Sequence, residues 1–497
     1  MTSRRHHDLV IIGAGSGNSI PGPELDDLDI AIIEHGRFGG TCINVGCVPT
    51  KMYVHPADLA AGARAGAPLG VTMTVDSVDW PALRERVFGR IDPIVAAGKA
   101  YRDGPDSPNV TVYTGTARFV GDRQLDTGTG VVITADRWVL AAGSRATVPD
   151  VDGLELGPRV HTSDTIMHLD ELPESVIVFG GGFIAAEFAH VFDAFGCDVV
   201  QVIRGDRLLR GHDDDISTAF TMAASRRWTL LSGTQPSAFR ASATGVEVEV
   251  AGQRVAADIV LVATGRVPNG DLLDVRASGI AVDPLTGLVL VDQFQQTSVE
   301  GIFALGDICS PWELKHVANH EMRVVRHNLA HPEAMVRSDH RFVPSAVFTH
   351  PQIAMVGLTE WQARQQGVEY VSARYDYSGI AAGWAREDTT GFVKVLADPR
   401  TGLLLGGHVI GPEAATVIQP VIQAMSFGQA AHDVATKQFW IHPSLPEVIE
   451  NVLLALPVPS ADLEVDDEPA VVASGKLDVN DADDFQRVVD EGVVEAQ

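Results

Sequence analysis

The chain has 497 residues, with 65 aspartates and glutamates against 37 lysines and arginines, for a formal net charge of -28. Its length predicts about three domains rather than one, and its acidity excludes general binding to nucleic acid, whose phosphates demand an excess of basic side chains. Four cysteines are too few for a disulfide-stapled secreted scaffold.

Asp8–Ile12 is a short apolar run ending in Gly13-Ala14-Gly15-Ser16-Gly17-Asn18, and a second run, Ile30–Ile33, ends at Glu34. Strand, glycine turn, return strand and acid make one half of a dinucleotide-binding unit. Gly13, Gly15 and Gly17 let backbone N–H groups approach a pyrophosphate, and Glu34 stands where an acid accepts hydrogen bonds from ribose hydroxyls. Asn18 replaces the third fingerprint glycine, and Pro21 and Pro23 shorten the helix expected to follow. A simple glycine turn is the alternative reading.

The next segment, Gly39-Gly40-Thr41-Cys42-Ile43-Asn44-Val45-Gly46-Cys47-Val48-Pro49-Thr50-Lys51, carries the sharpest signal. Residues five apart in a regular helix are separated by ~7.5 Å of rise and face different ways, whereas a disulfide needs Cα atoms roughly 4.4–6.8 Å apart. Cys42 and Cys47 can therefore bond only across a distorted turn, for which Gly46 supplies freedom. Pro49 suits the first turn of a following helix, and a helix N-terminus beside Cys47 favours its thiolate. Zinc is a rival use, but further ligands at the usual spacing are missing nearby; two buried thiols are the plainest alternative.

Trp138–Ser144, which includes Gly143, reads as a buried strand entering a turn, and Ile259–Arg266, which includes Gly265, repeats that pattern. Between them Ser175–Phe179 leads into Gly180-Gly181-Gly182-Phe183-Ile184-Ala185, a helical pattern to Phe195 and a strand over Asp198–Ile203. Gly180, Gly182 and Ala185 match a second nucleotide fingerprint. Its return strand ends in Arg204, with Arg210 six residues on, and guanidinium groups there favour a 2′-phosphate, hence NADPH over NADH. Residues 341–458 differ in texture, with strands near Ala346–Phe348 and Gly391–Leu396 and helices around Gln419–Met425 and Glu447–Leu454. His442 and Glu447 have the chemistry of an acid–base imidazole oriented by a carboxylate. His316 and His320 lack a third metal ligand, and Cys197 and Cys309 read as small core residues. Beyond Pro459 the composition turns acidic and nearly free of aromatics, which predicts a flexible tail, with a short helix near Asp484–Val489. The chain shows neither a signal-peptide pattern nor an apolar run near the ~18 residues of a membrane span, so a cytoplasmic location is expected.

Taken together, these motifs resemble the pyridine nucleotide-disulfide oxidoreductases, the family of glutathione reductase and lipoamide dehydrogenase. The resemblance covers residues 8–458 and rests on Gly40–Cys47, on Thr297–Asp307 and on Val347–Thr359, which is similar to the start of the family's dimerisation domain. It implies an α/β fold with two Rossmann-like dinucleotide-binding domains and an α+β C-terminal dimerisation domain. The expected boundaries are 1–150 for FAD with the redox disulfide, 151–275 for NADPH, 276–340 for the FAD domain's return, 341–458 for the interface and 459–497 for the tail.

It further implies FAD, met by the first glycine loop with Glu34, Gly40, Thr41, Lys51, Gly143 and Asp307. It implies NADPH, met by the second loop with Arg204, Arg210 and Gly265. Cys47 is then the sulfur nearest the flavin and Cys42 the interchange thiol, with Lys51 and Glu187 an ion pair near the flavin. His442, held by Glu447, completes the active site of the other subunit of a homodimer. The expected activity is NADPH-dependent reduction of a small disulfide. A flavoprotein that merely cycles Cys42–Cys47 as a redox switch is the reading of another class. NAD-preferring lipoamide dehydrogenases fit less well because of Arg204, and mercuric reductases because no cysteine follows Cys309.

Overall fold

A computed structural model describes residues 3–459; the acidic segment from Ser460 onward, with the helix expected near Asp484, lies outside the described residues. The first sheet is seven-stranded. At its centre β1 (Ser3–Ile12) runs parallel to β2 (Ile30–Glu34) on one side and to β3 (Val131–Leu140) on the other. Leu9–Ile12 are sealed from solvent, as an apolar run covered on both faces must be. β1 begins at Ser3 and not at Asp8, because β3 continues alongside it from Val131 and supplies hydrogen-bond partners to the polar residues. Val110–Thr114 pairs outside β2, two short antiparallel strands extend the sheet beyond β3, and Ile302–Ala304 returns late in the chain to pair with β3. That return brings Asp307 to the carboxyl ends of β1 and β3, where open α/β sheets bind ligands.

The expected helix after the first glycines is reduced to two 3-10 turns, Ser16–Ser19 and Pro23–Leu25. α1 (Gly40–Asn44) and α2 (Cys47–Ala65) follow β2. The 24-residue helix α3 (Trp80–Asp103) lacks a clean apolar stripe, since only Trp80, Val87, Phe88 and Ile91 are buried, and its pattern gave no sequence-level expectation. The second sheet has five parallel strands, with Ser175–Phe179 between Asp198–Val202 and Ile259–Val262. α4 (Phe183–Ala194) and α5 (Asp214–Ser225) belong to this unit. The two similar strand ends near Gly143 and Gly265 meet through a short antiparallel ladder, Ala146 opposite Arg266 and Ser144 opposite Pro268.

The third sheet is antiparallel, in the order 344–347, 352–357, 404–411, 392–397, 371–376. The helices Gln419–Phe427 and Glu447–Leu454 pack on it through Val421, Val448 and Ile449 against Val356, Val395 and Val409. Among the described residues no helix is long and apolar enough to cross a membrane.

This third sheet is locked to the second unit by a buried lysine. Lys394, 4% exposed, places Nζ 2.7 Å from Asp213, 2.7 Å from Asp215 and 3.0 Å from Glu360. Burial opposes its charge, but the hydrogen-bonded carboxylates hold its pKa above the ordinary lysine value. Asp213 also caps α5, three residues beyond Arg210. Lys394→Met strands Asp213 in the interior, and loss of one partner of a buried pair costs about 3–5 kcal/mol. The substitution should therefore lower denaturant stability by that order, and an unchanged denaturation midpoint would contradict the assignment.

Candidate active site

α1 and α2 are one helical path broken at Val45–Gly46, and the break lets the cysteines meet: Cys42 and Cys47 are disulfide-bonded with Cα atoms 4.6 Å apart. A Cβ at position 46 would lie 2.9 Å from the Thr41 carbonyl oxygen and 3.2 Å from the Cys42 Cα, so only glycine permits this approach. The Gly46 carbonyl accepts from the Thr50 N–H at 3.0 Å and the Thr50 hydroxyl at 2.7 Å, which opens α2 directly behind Cys47. Asn44 donates to the carbonyls of Phe38 and Gly40, tying the end of α1 back to its entry. Cys47 thus stands at the first residue of a 19-residue helix, where the peptide dipoles favour a thiolate.

Lys51, one turn further along α2, reaches Glu187 on α4 with Nζ 2.8 and 2.7 Å from its two carboxylate oxygens. Glu187 is 2% exposed, and it also accepts from the Phe348 N–H at 3.0 Å. Lys51 Nζ lies 4.8 Å from the centre of the Phe348 ring. The ion pair expected from the resemblance is therefore formed.

The first glycine loop is pressed between two backbones. Gly13, at φ 105°, has no room for a Cβ, which would sit 2.2 Å from the Ala141 oxygen. A Cβ on Gly40 would lie 2.7 Å from the Gly15 Cα, so the loop touches the entry of the cysteine helix directly. Thr41 follows at that helix's first turn. Glu34 accepts from the N–H groups of Ala14 and Gly36, both at 2.8 Å, and so pins the loop it was expected to serve. Burial works to raise its pKa, but His35 and these N–H groups hold it below the usual carboxylate value. Asn18 accepts from Arg102, and Ser16 from Lys315. Asp307 accepts from the Ser144 hydroxyl at 2.7 Å, which in turn accepts from Arg266 Nε at 2.8 Å, close to the turn at Gly143. Burial and the neighbouring Asp307 push Glu313 up to about 8 against the pull of Arg266. A loop stripped of side chains, an acid at the end of β2 and half-buried cations around it fit a flavin dinucleotide.

The second loop repeats the solution. A Cβ on Gly180 would meet the Ala263 oxygen at 2.0 Å, Gly182 caps α4, and Ala185 is fully buried beneath it. Gly265, at φ 130°, forms the turn after Ile259–Val262. Arg204 and Arg210 are both exposed, and Arg210 folds over Gly205, so its side chain lies beside the residue that follows Arg204. Exposed guanidinium groups are of the kind that donate to a phosphate in charge-assisted hydrogen bonds.

His442 Nδ1 lies 2.7 Å from Glu447 Oε1, and the second carboxylate oxygen accepts from the Ser444 N–H at 2.7 Å. Burial opposes the charge of Glu447, yet Ser444 and His442 hold its pKa below the ordinary value. The imidazole is exposed, flanked by Phe439 and Ile441, themselves 103% and 79% exposed. No hydrogen bond joins it to either cysteine among the described residues of one chain. Among the described residues no group of three or more side chains could hold a metal. Cys197 is buried, and burial pushes its thiol up to about 12.

Ser16, Asn44, Arg102, Ser144, Arg266 and Lys315 all shape the site without being singled out by sequence. Asn44 lies within the cysteine motif, Ser16 within the first glycine loop, and Ser144 and Arg266 beside Gly143 and Gly265; Arg102 and Lys315 are brought in from distant segments by the tertiary fold.

The sequence matches the family described as pyridine nucleotide-disulphide oxidoreductase over residues 7–322 and that family's dimerisation domain over residues 343–453. It is 49% identical to a mycothione reductase of Mycobacterium tuberculosis, over 90% of this chain and 99% of that protein. It is 30% identical to a dihydrolipoyl dehydrogenase of Chlamydia muridarum, over 91% of this chain and 97% of that protein. The fold is similar to the HOCl-induced flavoprotein disulfide reductase RclA from Escherichia coli, with a TM-score of 0.79 and 26% identity over 90% of this chain and 99% of that one.

Because the Cys42–Cys47 bond depends on the missing side chain at position 46, Gly46→Val should keep the pair apart. Thiol titration of the denatured, unreduced protein should then find two sulfhydryls more than in the parent, whose free cysteines are Cys197 and Cys309. An unchanged count sinks the steric argument.

Proposed function

Because the chain belongs to the pyridine nucleotide-disulphide oxidoreductase family, we propose that it reduces mycothione, the disulfide of mycothiol, at the expense of NADPH through FAD and the Cys42–Cys47 pair. The observation that carries the redox half of this reading is the formed disulfide at the N-terminus of α2, seated against the first glycine loop. The substrate half rests on the 49% identity to a mycothione reductase across nearly the whole of both chains. The stretches Phe88–Ile94 and Gly383–Thr389 and the Gly15–Ser19 loop resemble that branch as well.

FAD, when bound, supplies the hydride chemistry that links nicotinamide to sulfur. The chain's own groups do the rest. Gly180, Gly182 and Ala185 receive the NADPH diphosphate while Arg204 and Arg210 meet its 2′-phosphate. Gly13, Gly15, Gly17, Asn18 and Glu34 receive the flavin nucleotide, with Gly40, Thr41, Gly143 and Asp307 around it. Lys51, fixed by Glu187, is the cation that tunes the site. Once the disulfide is reduced, the Cys42 thiolate attacks one sulfur of the substrate and expels the first thiolate, leaving a mixed disulfide. The Cys47 thiolate, favoured by the helix terminus, then attacks the Cys42 sulfur, releases the second thiolate and re-forms the internal bond. His442, turned outward and oriented by Glu447, stores the proton and gives it to the leaving thiolate in the partner subunit's site. Exposed Phe439 and Ile441 beside it suit burial between subunits. A reducing cytoplasm is the compartment in which so close a pair serves catalysis.

Turnover measured side by side with mycothione, glutathione disulfide and lipoamide tests the substrate. Mycothione should give the highest kcat/KM, and Cys42→Ser should leave less than about a hundredth of the parent rate while keeping the flavin. Preference for glutathione disulfide would move the chain to another branch, and reoxidation only by a protein partner would favour the switch. Mixing Cys42→Ser subunits with His442→Ala subunits tests the shared site. Heterodimers should regain activity absent from both homodimers, and a mixture that stays inactive places His442 outside the reaction.

A further inference from the structure

In dinucleotide-binding units the diphosphate lies against the N-terminus of a helix whose aligned peptide dipoles amount to roughly half a positive charge. The first loop of this chain has no such helix. Its four-residue turn Ser16–Ser19 is followed by Gly22, Pro23 and a three-residue turn, Pro23–Leu25. Few peptide units align, so little dipole is summed at the loop.

Two full cations grip the same loop. Lys315, the first residue of the helix Lys315–Ala330, has Nζ 2.7 Å from the Ser16 hydroxyl, which also lies 3.4 Å from Asn319 Oδ1. Arg102, near the end of α3, donates from Nε to Asn18 Oδ1 at 2.9 Å, from one terminal nitrogen to the Asn18 carbonyl at 2.6 Å and from the other to Ser107 Oγ at 3.4 Å. Both are half-buried, and burial lowers the pKa of each. Asp307 is the carboxylate whose field reaches Lys315, but among the described residues neither cation has a carboxylate within ion-pair distance. Their partners are neutral oxygens. A half-buried charge without a counter-ion is costly, and an ammonium at a helix N-terminus is disfavoured again by the like-signed helix end. Two negative charges laid on the loop would remove both costs.

We propose that Lys315 and Arg102 are the charge partners of the FAD diphosphate in this chain, standing in for the helix terminus that Pro21 and Pro23 abolish, and that Asn18 replaces the third glycine because it holds Arg102. Lys315 is the direct contact, since its flexible ammonium can turn from Ser16 to a phosphate oxygen. Arg102 is a positioning residue that acts through Asn18 from behind the loop. The inference deepens the reading of this loop as the flavin site and rests on it.

The test follows flavin release from the purified holoenzyme, by the rise in flavin fluorescence across a rising series of sodium chloride. Lys315→Met and Arg102→Met should each release FAD at least about tenfold faster than the parent at low salt, with a flatter salt dependence. Lys315→Arg should stay within about threefold of the parent because it keeps the charge. Asn18→Gly, which restores the fingerprint and keeps both cationic residues but removes the side-chain acceptor that holds Arg102, should loosen FAD several-fold and guards against a methionine variant that fails to fold. Binding of 2′,5′-ADP to the second loop should be unaffected in all four. Variants that hold FAD with the parent's rate and salt slope overturn the proposal, as does a Lys315→Arg protein as leaky as Lys315→Met, which would make packing the cause. A parent protein that neither carries nor takes up flavin overturns the reading of the loop itself.

Discussion

Glu187 is a carboxylate buried where three parts of the molecule meet, and its demand for partners fixes their relation. A buried acid is tolerable only when paired and hydrogen-bonded. Here the pairing cation, Lys51, comes from the helix that carries Cys47, and the N–H donor comes from Phe348 at the edge of the interface unit. Glu187 itself sits on the helix that opens from Gly182. The sulfurs, the second nucleotide loop and the interface unit are thus referred to one charged point. Lys394 repeats the principle further out, joining the interface sheet to the start of α5.

Around that point the chain brings backbones together by removing side chains. Gly40 touches Gly15, Gly46 clears Cys42 and Thr41, and Gly13 and Gly180 each face a carbonyl oxygen of a neighbouring strand end. Each contact lets two backbone segments approach more closely than a Cβ would allow. The net charge of -28 makes the local exceptions informative. Lys51 stands beside the helix that carries Cys47, Lys315 and Arg102 hold the first glycine loop, and Arg204 and Arg210 follow the second return strand, so cations gather at these points in an acidic chain.

The imidazole tells a different story. His442 and Glu447 are ordered by a hydrogen bond inside one chain, yet the ring is exposed, makes no hydrogen bond to that chain's sulfurs and has exposed apolar side chains beside it in the sequence. The match to the family's dimerisation domain over residues 343–453 makes a second copy of the chain the surface that covers this part of the molecule.

Much of this was legible without coordinates. Glycine spacing after apolar runs marked both nucleotide loops, because a short-range steric requirement leaves a short-range trace. The five-residue cysteine spacing with Gly46 marked a bend for the same reason, and the change from acid to arginine at the second return strand marked the coenzyme. Lost to the sequence were α3, whose weak stripe hides it, and the extension of β1 into polar residues, which depends on a partner strand more than a hundred positions away. Equally hidden were Arg102 behind Asn18, Lys315 on Ser16 and Ser144 between Asp307 and Arg266. Sequence by itself determined the chemistry available, since residue types and local backbone freedom are written in neighbouring letters. Tertiary structure alone decided which charges share a loop, because long-range pairing is settled by sheet order and burial, and these sum contributions from the whole chain.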